Sequence, residues 1–489
     1  MNIKKVYIVN PISQYGVLNY FCEQIAAGFR VYGIDTEFLS SFKLDKDGHL
    51  IGITDSDMIF TFNSACGGVF LETVNKDGIP YWAFMVDHPY YHYSRLENWN
   101  ENQIISVIDR KHLEYLETYY PNIKHKLFVP HGGMFVQEKE IPFEQKKYPI
   151  TFFGTYRDPD ACMEVLKKYN EPMQKLFSQI MDEVWSDREK TLEESVLHNF
   201  NRYKLLEKQE SLVDIMPDLC ALDESLRYRR RALLIQTALK SGFEVHVFGN
   251  GWNEYNGYSG NNLIIHENVS CEESLKIIAD SKIVLNNMPL FTDGSHERIF
   301  SVLASGSICL TDANPYLKEC FIDKEDLFYF DWEDIEAVPK LIREILTGQF
   351  DVEGIIKSGK KKALEKHLWK NRAKSILEYC QGLQLAEGEK NKNHSVNKQK
   401  IKDILDMMHT VLIFIVDNMN QISREELWKM FNDIMETFFC VNEELFNSRE
   451  LNQFKIDQIR NQEGYYASND EVINFYAQWH AFISDIIDN

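Results

Sequence analysis

Short apolar runs recur along this chain, each separated from the next by a stretch with helical spacing, and the series starts twice. The first series runs through Val6–Val9, Thr36–Leu39, Asp57–Phe62, Tyr81–Val86, Ile104–Ile108 and Leu127–Pro130. After its first run, Val17, Phe21, Ile25 and Phe29 keep the spacing of a helix over Val17–Tyr32. The second series opens at Pro149-Ile-Thr-Phe-Phe-Gly154 and continues through Glu244-Val-His-Val-Phe-Gly249, Leu263–His266, Ile283–Leu285 and Ile308–Thr311. Strands that are apolar on both faces and alternate with helices predict parallel sheets covered by helices on each side.

At 489 residues the chain has room for two to four domains. The restart at Pro149 divides it into a first lobe at 1–135 and a second at 149–380. A stretch rich in Glu, Lys, Leu and Met at about 160–225 reads as a helical insertion in the second lobe. A charged helix is expected from Lys360 to Cys380, with Trp369 in its core face. Residues 381–400 are polar and read as a linker. Beyond it Ile401, Leu405, Met408, Leu412, Ile415 and Met419 follow helical spacing, and 401–489 carries 6 Lys/Arg against 16 Asp/Glu. That segment reads as an acidic helical domain, fit for self-association or for docking a partner.

Composition narrows the function classes. With 53 Lys/Arg against 74 Asp/Glu the net charge is −21, which argues against a nucleic-acid binder. The nine cysteines are scattered without a C-x-x-C pair, as expected of free thiols in a reducing cytoplasm. The start of the chain is strand-like, without the apolar core of a signal peptide, and no run approaches the ~18 apolar residues of a membrane span. Asp55-Ser-Asp57 has the D-x-D look of a metal site, but it directly precedes an apolar strand, where Asp caps are common. No metal site is expected.

Chemistry concentrates between Asn286 and Asp312. A strand runs into a glycine-containing loop, then into a helix from His296 to Ala304 with Ser295 as the expected N-cap. A helix N-terminus presents free N–H groups and the positive end of a dipole, which suits a phosphate group. Arg298 in the first turn opposes that dipole and makes sense beside an anion; pairing with Glu297 or Asp293 is the structural alternative. Phe248-Gly-Asn-Gly-Trp252 lets backbone approach a ligand after a strand, or forms a tight turn. Tyr228-Arg-Arg-Arg231 opens the helix before that strand, where Arg229 or Arg231 could reach the same place. In the first lobe Val86-Asp-His-Pro follows a strand, and strand C-termini line the crevice of such sheets. Asp87 and His88 are therefore base candidates. Val129-Pro-His-Gly-Gly133 reads as a hinge loop.

Arg298, Phe300, Leu303, Ala304, Gly306, Thr311 and Asp312, with the glycine-ended strands before them, resemble the sugar-nucleotide half of GT-B glycosyltransferases. The group most resembled is the one called CgeB-like or glycosyl transferases group 1. The resemblance implies an α/β fold of two Rossmann-like lobes, here with a helical insertion and a C-terminal α-helical domain. It implies a nucleotide-diphosphate sugar, UDP-linked by preference, as substrate and no tightly bound cofactor. The activity implied is metal-independent transfer to a glycan or protein hydroxyl, with a retaining mechanism, and bacterial surface glycans or glycoproteins fit as acceptors. Donor-binding expectations fall on Gly16, Gly249, Asn250, Gly251, Trp252, Asp293, Gly294, Ser295, His296 and Ser301. Catalytic expectations fall on Asp87, His88, Glu297 and Arg298. Ser301 stands where the family carries a ribose-binding Glu. Ser13-Gln-Tyr-Gly16 resembles the first loop of the fold, which approaches the donor or acceptor. A non-catalytic glycan- or protein-binding module and a sugar-nucleotide epimerase are the alternatives.

Overall fold

The computed structural model describes residues 3–383 apart from 10–15, 40–41, 43–48, 55, 65–67, 97–101, 137–139, 204, 206–214, 259 and 289. The expected linker beyond Leu383, the acidic segment 401–489, Ser13 to Tyr15 and Asp55 lie outside the described residues.

Two six-stranded sheets are present, and every strand pairing in them is parallel. The first holds β1 (Lys5–Val9), β2 (Asp35–Leu39), β3 (Asp57–Phe62), β4 (Tyr81–Met85), β5 (Gln103–Val107) and β6 (His125–Phe128), in the order β2-β1-β3-β4-β5-β6. The second holds β7 (Tyr148–Phe153), β8 (Val245–Phe248), β9 (Leu263–His266), β10 (Ser281–Leu285), β11 (Ile308–Asp312) and β12 (Phe328–Phe330), in the order β12-β11-β10-β7-β8-β9. Strands β3, β4 and β5 are buried along their whole length, as strands covered on both faces must be. The strand order reverses between β7 and β10, whose register pairs Ile283 with Ile150 and Leu285 with Phe152. Ligands of such sheets bind outside the strand C-termini at this reversal, so the loops after β7 and β10 frame the place to search.

Helix α1 (Val17–Val31) packs on the first sheet. Helix α2 (Arg110–Tyr119) is capped by Asp109, whose carboxylate accepts the Lys111 N–H at 2.7 Å. The insertion contains α3 (Glu171–Ser186) and α4 (Leu192–Arg202), and Thr191 and Glu194 form a capping box on α4. Helix α5 (Met216–Leu239) follows as one element, so Tyr228 to Arg231 lie in mid-helix rather than opening a helix. Although the insertion belongs to the second half of the sequence, its apolar face is buried on the first lobe. Phe177, Ile180, Val196, Phe200 and Leu222 share a core with Tyr81, Met85, Ile105 and Tyr115.

Helix α6 (Glu297–Ala304) starts one residue after its true cap. His296 caps it, its Nδ1 accepting from the Arg298 N–H at 3.3 Å, so Ser295 is not the N-cap. The expected helix from Lys360 to Cys380 is two helices, α7 (Val352–Lys366) and α8 (Trp369–Gln381). Two tertiary contacts occupy the break between them. The His367 carbonyl accepts the Gly133 N–H at 2.6 Å, and the His367 ring stacks on Phe300 with centroids 4.5 Å apart. Helix α8 then crosses back to the first lobe, where Trp369 is buried among Phe21, Phe62 and Phe84.

Candidate active site

Two loops of the second lobe are joined beside the reversal point. The loop after β7 and the loop after β8 are tied together: Gly154 N–H donates to the Phe248 carbonyl at 2.9 Å, and Tyr156 N–H to the Asn250 carbonyl at 2.9 Å. Gly249 has no room for a side chain, because a Cβ there would lie 2.4 Å from the Gly154 carbonyl oxygen. Backbone-to-backbone approach of this kind leaves a surface of peptide groups. Gly251 ends the tight turn and opens a short 3-10 helix. Trp252 lies beneath the turn. It is fully buried, its indole N–H donates to the Gly154 carbonyl at 2.7 Å, and it presents no open face for a ligand. The expectation that it lines the donor site is corrected accordingly.

Arginines from two helices stand beside these loops. Arg231 of α5 donates to the Thr155 carbonyl at 2.7 Å and keeps its Nε buried without a partner. Burial first, then the charges of Arg227 and Arg298, lower its pKa to about 9. Arg298, in the first turn of α6, is likewise lowered by burial, with Glu297 pulling the other way. Among the described residues neither guanidinium forms an ion pair. Arg229, by contrast, is directed to Asp160 at 3.2 Å on the surface. Arg227 is held by Asp223 at 3.0 Å and donates to the Tyr91 hydroxyl at 3.3 Å. Mutually repelling guanidiniums beside a helix N-terminus are the arrangement an anion stabilises.

Glu297 does not pair with Arg298. Its carboxylate lies 2.7 Å from the same His296 Nδ1, which either donates to Glu297 or accepts the Arg298 N–H, not both at once. Burial works against its ionisation, but His296, His131 and Arg298 outweigh it and lower its pKa to about 2. Across the seam, the His131 ring of the first lobe lies 6.2 Å from that of His296. His131 is buried, its Nδ1 has no partner, and burial lowers its pKa to about 4. Sequence reading placed it in a hinge; its ring also faces the α6 terminus.

Of the two base candidates only Asp87 is open. Its side chain is 51% exposed, accepts from Asn63 Nδ2 at 2.8 Å, and lies 3.6 Å from His92. His92, Arg227 and Asn63 hold its pKa down at about 2. His88 is withdrawn from the candidates. It is buried, its Nδ1 accepts from the Tyr90 N–H at 3.3 Å, and its Nε2 lies 3.2 Å from Glu193 of α4.

Several expected donor contacts are occupied by contacts between the lobes. Asp293 N–H donates to Asp109 at 2.9 Å and the Asp293 carbonyl accepts from Arg110 N–H at 3.1 Å. Gly294 forms an isolated bridge with Asp109. Ser301 accepts from the Met134 N–H at 3.0 Å and donates to the Glu297 carbonyl at 3.0 Å, so its hydroxyl is committed to the hinge. Ser295 is fully buried and its hydroxyl has no partner. Gly16 begins α1 with a positive φ of 65°. Asp57 accepts from both the N–H and the hydroxyl of Thr54, at 2.8 and 2.9 Å, which makes it a turn cap before β3.

Among the described residues no helix is long and apolar enough to cross a membrane, and no group of three His, Cys, Asp or Glu is arranged to hold a metal ion.

Residues 229–378 match a protein-family model described as glycosyl transferase-like. The match covers α5 from Arg229 onward, β8 to β12 and nearly all of α8, and so contains every second-lobe site residue except those of the loop after β7. No curated protein sequence matches. Among solved structures, sucrose-phosphate synthase from Thermosynechococcus elongatus is similar at 10% identity, covering 78% of this chain and 98% of that one, with a TM-score of 0.45. Anabaena HepE in complex with UDP-glucose is similar at 9% identity, covering 78% and 100%, with a TM-score of 0.45. T4 phage BGT in complex with UDP-glucose is similar at 9% identity, covering 77% and 98%, with a TM-score of 0.44.

Proposed function

We propose that this chain is a glycosyltransferase of the CgeB-like kind. It moves a sugar from a nucleotide-diphosphate donor, UDP-linked by preference, to a hydroxyl of a glycan or protein acceptor. The observation that carries the reading is the pair of unpaired guanidiniums, Arg231 and Arg298, set beside the α6 N-terminus and the tied loops after β7 and β8. The family match over 229–378 supports it.

In the reaction the bond from the anomeric carbon to the diphosphate oxygen breaks and a bond to the acceptor oxygen forms. Negative charge builds on the diphosphate as it departs, and Arg231, Arg298 and the helix terminus stabilise that charge more strongly in the transition state than in the ground state. These groups do the work for which a metal ion is used elsewhere, so the proposed transfer is metal-independent. The acceptor proton needs a base. Asp87 and Glu297, both held near a pKa of about 2 by their neighbours, are weak bases at neutral pH. This favours proton transfer to the departing diphosphate on the same face of the sugar, which is retention.

A non-catalytic glycan- or protein-binding module is the second reading, and Ser301 favours it, since the position of the ribose-binding carboxylate is used for the hinge. Release of UDP or GDP from a panel of sugar nucleotides, read beside ligand-induced rise in melting temperature, separates the two. Turnover supports the transferase; no release together with no rise in melting temperature supports the binding module.

A further inference from the structure

Helices α7 and α8 are basic in an otherwise acidic chain. From Val352 to Gln381 the sequence carries 8 Lys/Arg against 3 Asp/Glu, while the net charge of the whole is −21. Lys360, Lys362 and Lys374 have partners in Glu140, Asp326 and Glu378. Lys357, Lys361, Lys366 and Lys370 are exposed, and among the described residues none of them forms an ion pair. Lys357 and Lys361 repel each other four residues apart on α7, as do Lys370 and Lys374 on α8.

Helix α8 lies directly on α1. A Cβ on Gly28 of α1 would lie 3.0 Å from the Lys370 Cα and 3.1 Å from the Ala373 Cβ. Within the next turn of the chain stand Arg30, Val31 and Tyr32. Arg30 is exposed and among the described residues forms no ion pair. Val31 is 66% exposed and Tyr32 39%. The α1–α8 seam thus sets unpaired cations beside uncovered apolar side chains. Its complement is a segment that is acidic and apolar at once.

Such a segment follows in the same chain. Helix α8 ends at Gln381 and the described chain ends at Leu383. Further on, Ile401, Leu405, Met408, Leu412, Ile415 and Met419 keep helical spacing, and Asp403, Asp406 and Asp417 stand between them. The 17 residues from 384 to 400 span at most about 60 Å, whereas α8 is about 20 Å long, so the whole seam is within reach of 401–419. A tether of that length holds the segment at roughly millimolar effective concentration, which a second copy at micromolar concentration does not match. We propose that 401–419 of the same chain docks along the α1–α8 seam, with its apolar side on Val31 and Tyr32 and its aspartates facing Arg30, Lys366 and Lys370. Seated there, it pins to the first lobe the helix that crosses back from the second. The inference does not depend on the glycosyltransferase reading.

The test joins the full chain, mixed with its isotope-labelled form, by zero-length amine–carboxyl cross-linking, and reads hydrogen exchange over 401–419. Lys366 or Lys370 should link to Asp403, Asp406 or Asp417, with both ends of each link in one isotopic species. Exchange over 401–419 should run about tenfold faster or more in Lys366→Glu/Lys370→Glu than in wild type, and likewise in Val31→Asp. These positions are exposed, so the substitutions leave the core intact. Links that carry both isotopes would place the segment on a second copy and overturn the proposal. Absence of links from both lysines, or exchange unchanged in either variant, would overturn it as well, because the segment then does not rest on the seam.

Discussion

The Asp109 carboxylate of the first lobe accepts the Asp293 N–H of the second lobe at 2.9 Å while its other oxygen caps α2. One buried side chain thus fixes both a helix start and the approach of two lobes. Arg110 adds a second tie, donating to Glu319 at 2.8 Å. The loop expected to hold a donor sugar is, in this arrangement, also the loop that closes the lobes on each other.

That closure predicts the outcome of Gly294→Ala. A Cβ at 294 would lie 2.3 Å from the Ile108 carbonyl oxygen and 2.6 Å from the Asp109 Cα, both backbone atoms that cannot swing aside. The substitution should push the lobes apart and cost about 1–3 kcal/mol. A denaturant melt and solution scattering check it. An unchanged midpoint together with an unchanged radius of gyration would mean that the contact is not formed in solution.

Ser301→Ala separates two roles for one hydroxyl. The Met134 N–H is left without its acceptor at a buried site, which costs about 1–3 kcal/mol. UDP affinity should stay at the wild-type level. A loss of UDP affinity with stability unchanged would instead place Ser301 on the ribose.

What was legible in the sequence follows from locality. The inner strands were visible because burial on two faces leaves unbroken apolar runs such as Met58-Ile-Phe-Thr-Phe62. β12 was not, since Phe328-Tyr-Phe330 is short and flanked by charged residues. The break between α7 and α8 was invisible because periodicity continues through it. Its causes, Gly133 and Phe300, lie far away in sequence. Arg298 could be found from its odd place in a first turn. Arg231 stands out only together with Arg229, because a run of three arginines does not say which one faces inward. The partnership of His88 with Glu193 spans 105 positions, and no local signal announces it.

Arg298→Ala should cripple turnover while sparing the fold. Arg298 is half-buried and among the described residues forms no ion pair, so its removal relieves a burial cost rather than breaking a contact. Loss of one charge-stabilising donor typically lowers rate by about 10²–10³. The check is kcat on the best sugar nucleotide beside a melting curve. Near-normal turnover would return Arg298 to a structural role, and a collapsed melting point would make it part of the core.

Glu193 predicts a pH dependence of stability. Burial raises its pKa from 4.5 to about 7, against the lowering effect of its backbone and Thr191 hydrogen bonds. A carboxyl raised in the folded state favours folding fully below its unfolded pKa, and that contribution is lost as pH rises through the folded value. Between about pH 4.5 and 7 the wild type should therefore lose on the order of 3 kcal/mol from this group. Asp109, raised to about 7 by burial, pulls in the same direction. His88 and His131, buried and lowered to about 3 and 4, pull the opposite way, because folding then favours the neutral ring as pH climbs. Glu193→Gln removes this contribution: its amide oxygen can still accept from His88 Nε2, and groups that do not face Glu193 cancel in the difference, while Asp109, which the Glu193 charge helps to raise, shifts with it. The stability of the Gln variant relative to wild type should rise from pH 4.5 to 7 in chemical denaturation. A difference that stays flat across that window would mean that Glu193 is ionised at neutral pH and that the insertion seats on the first lobe through a charged pair with His88.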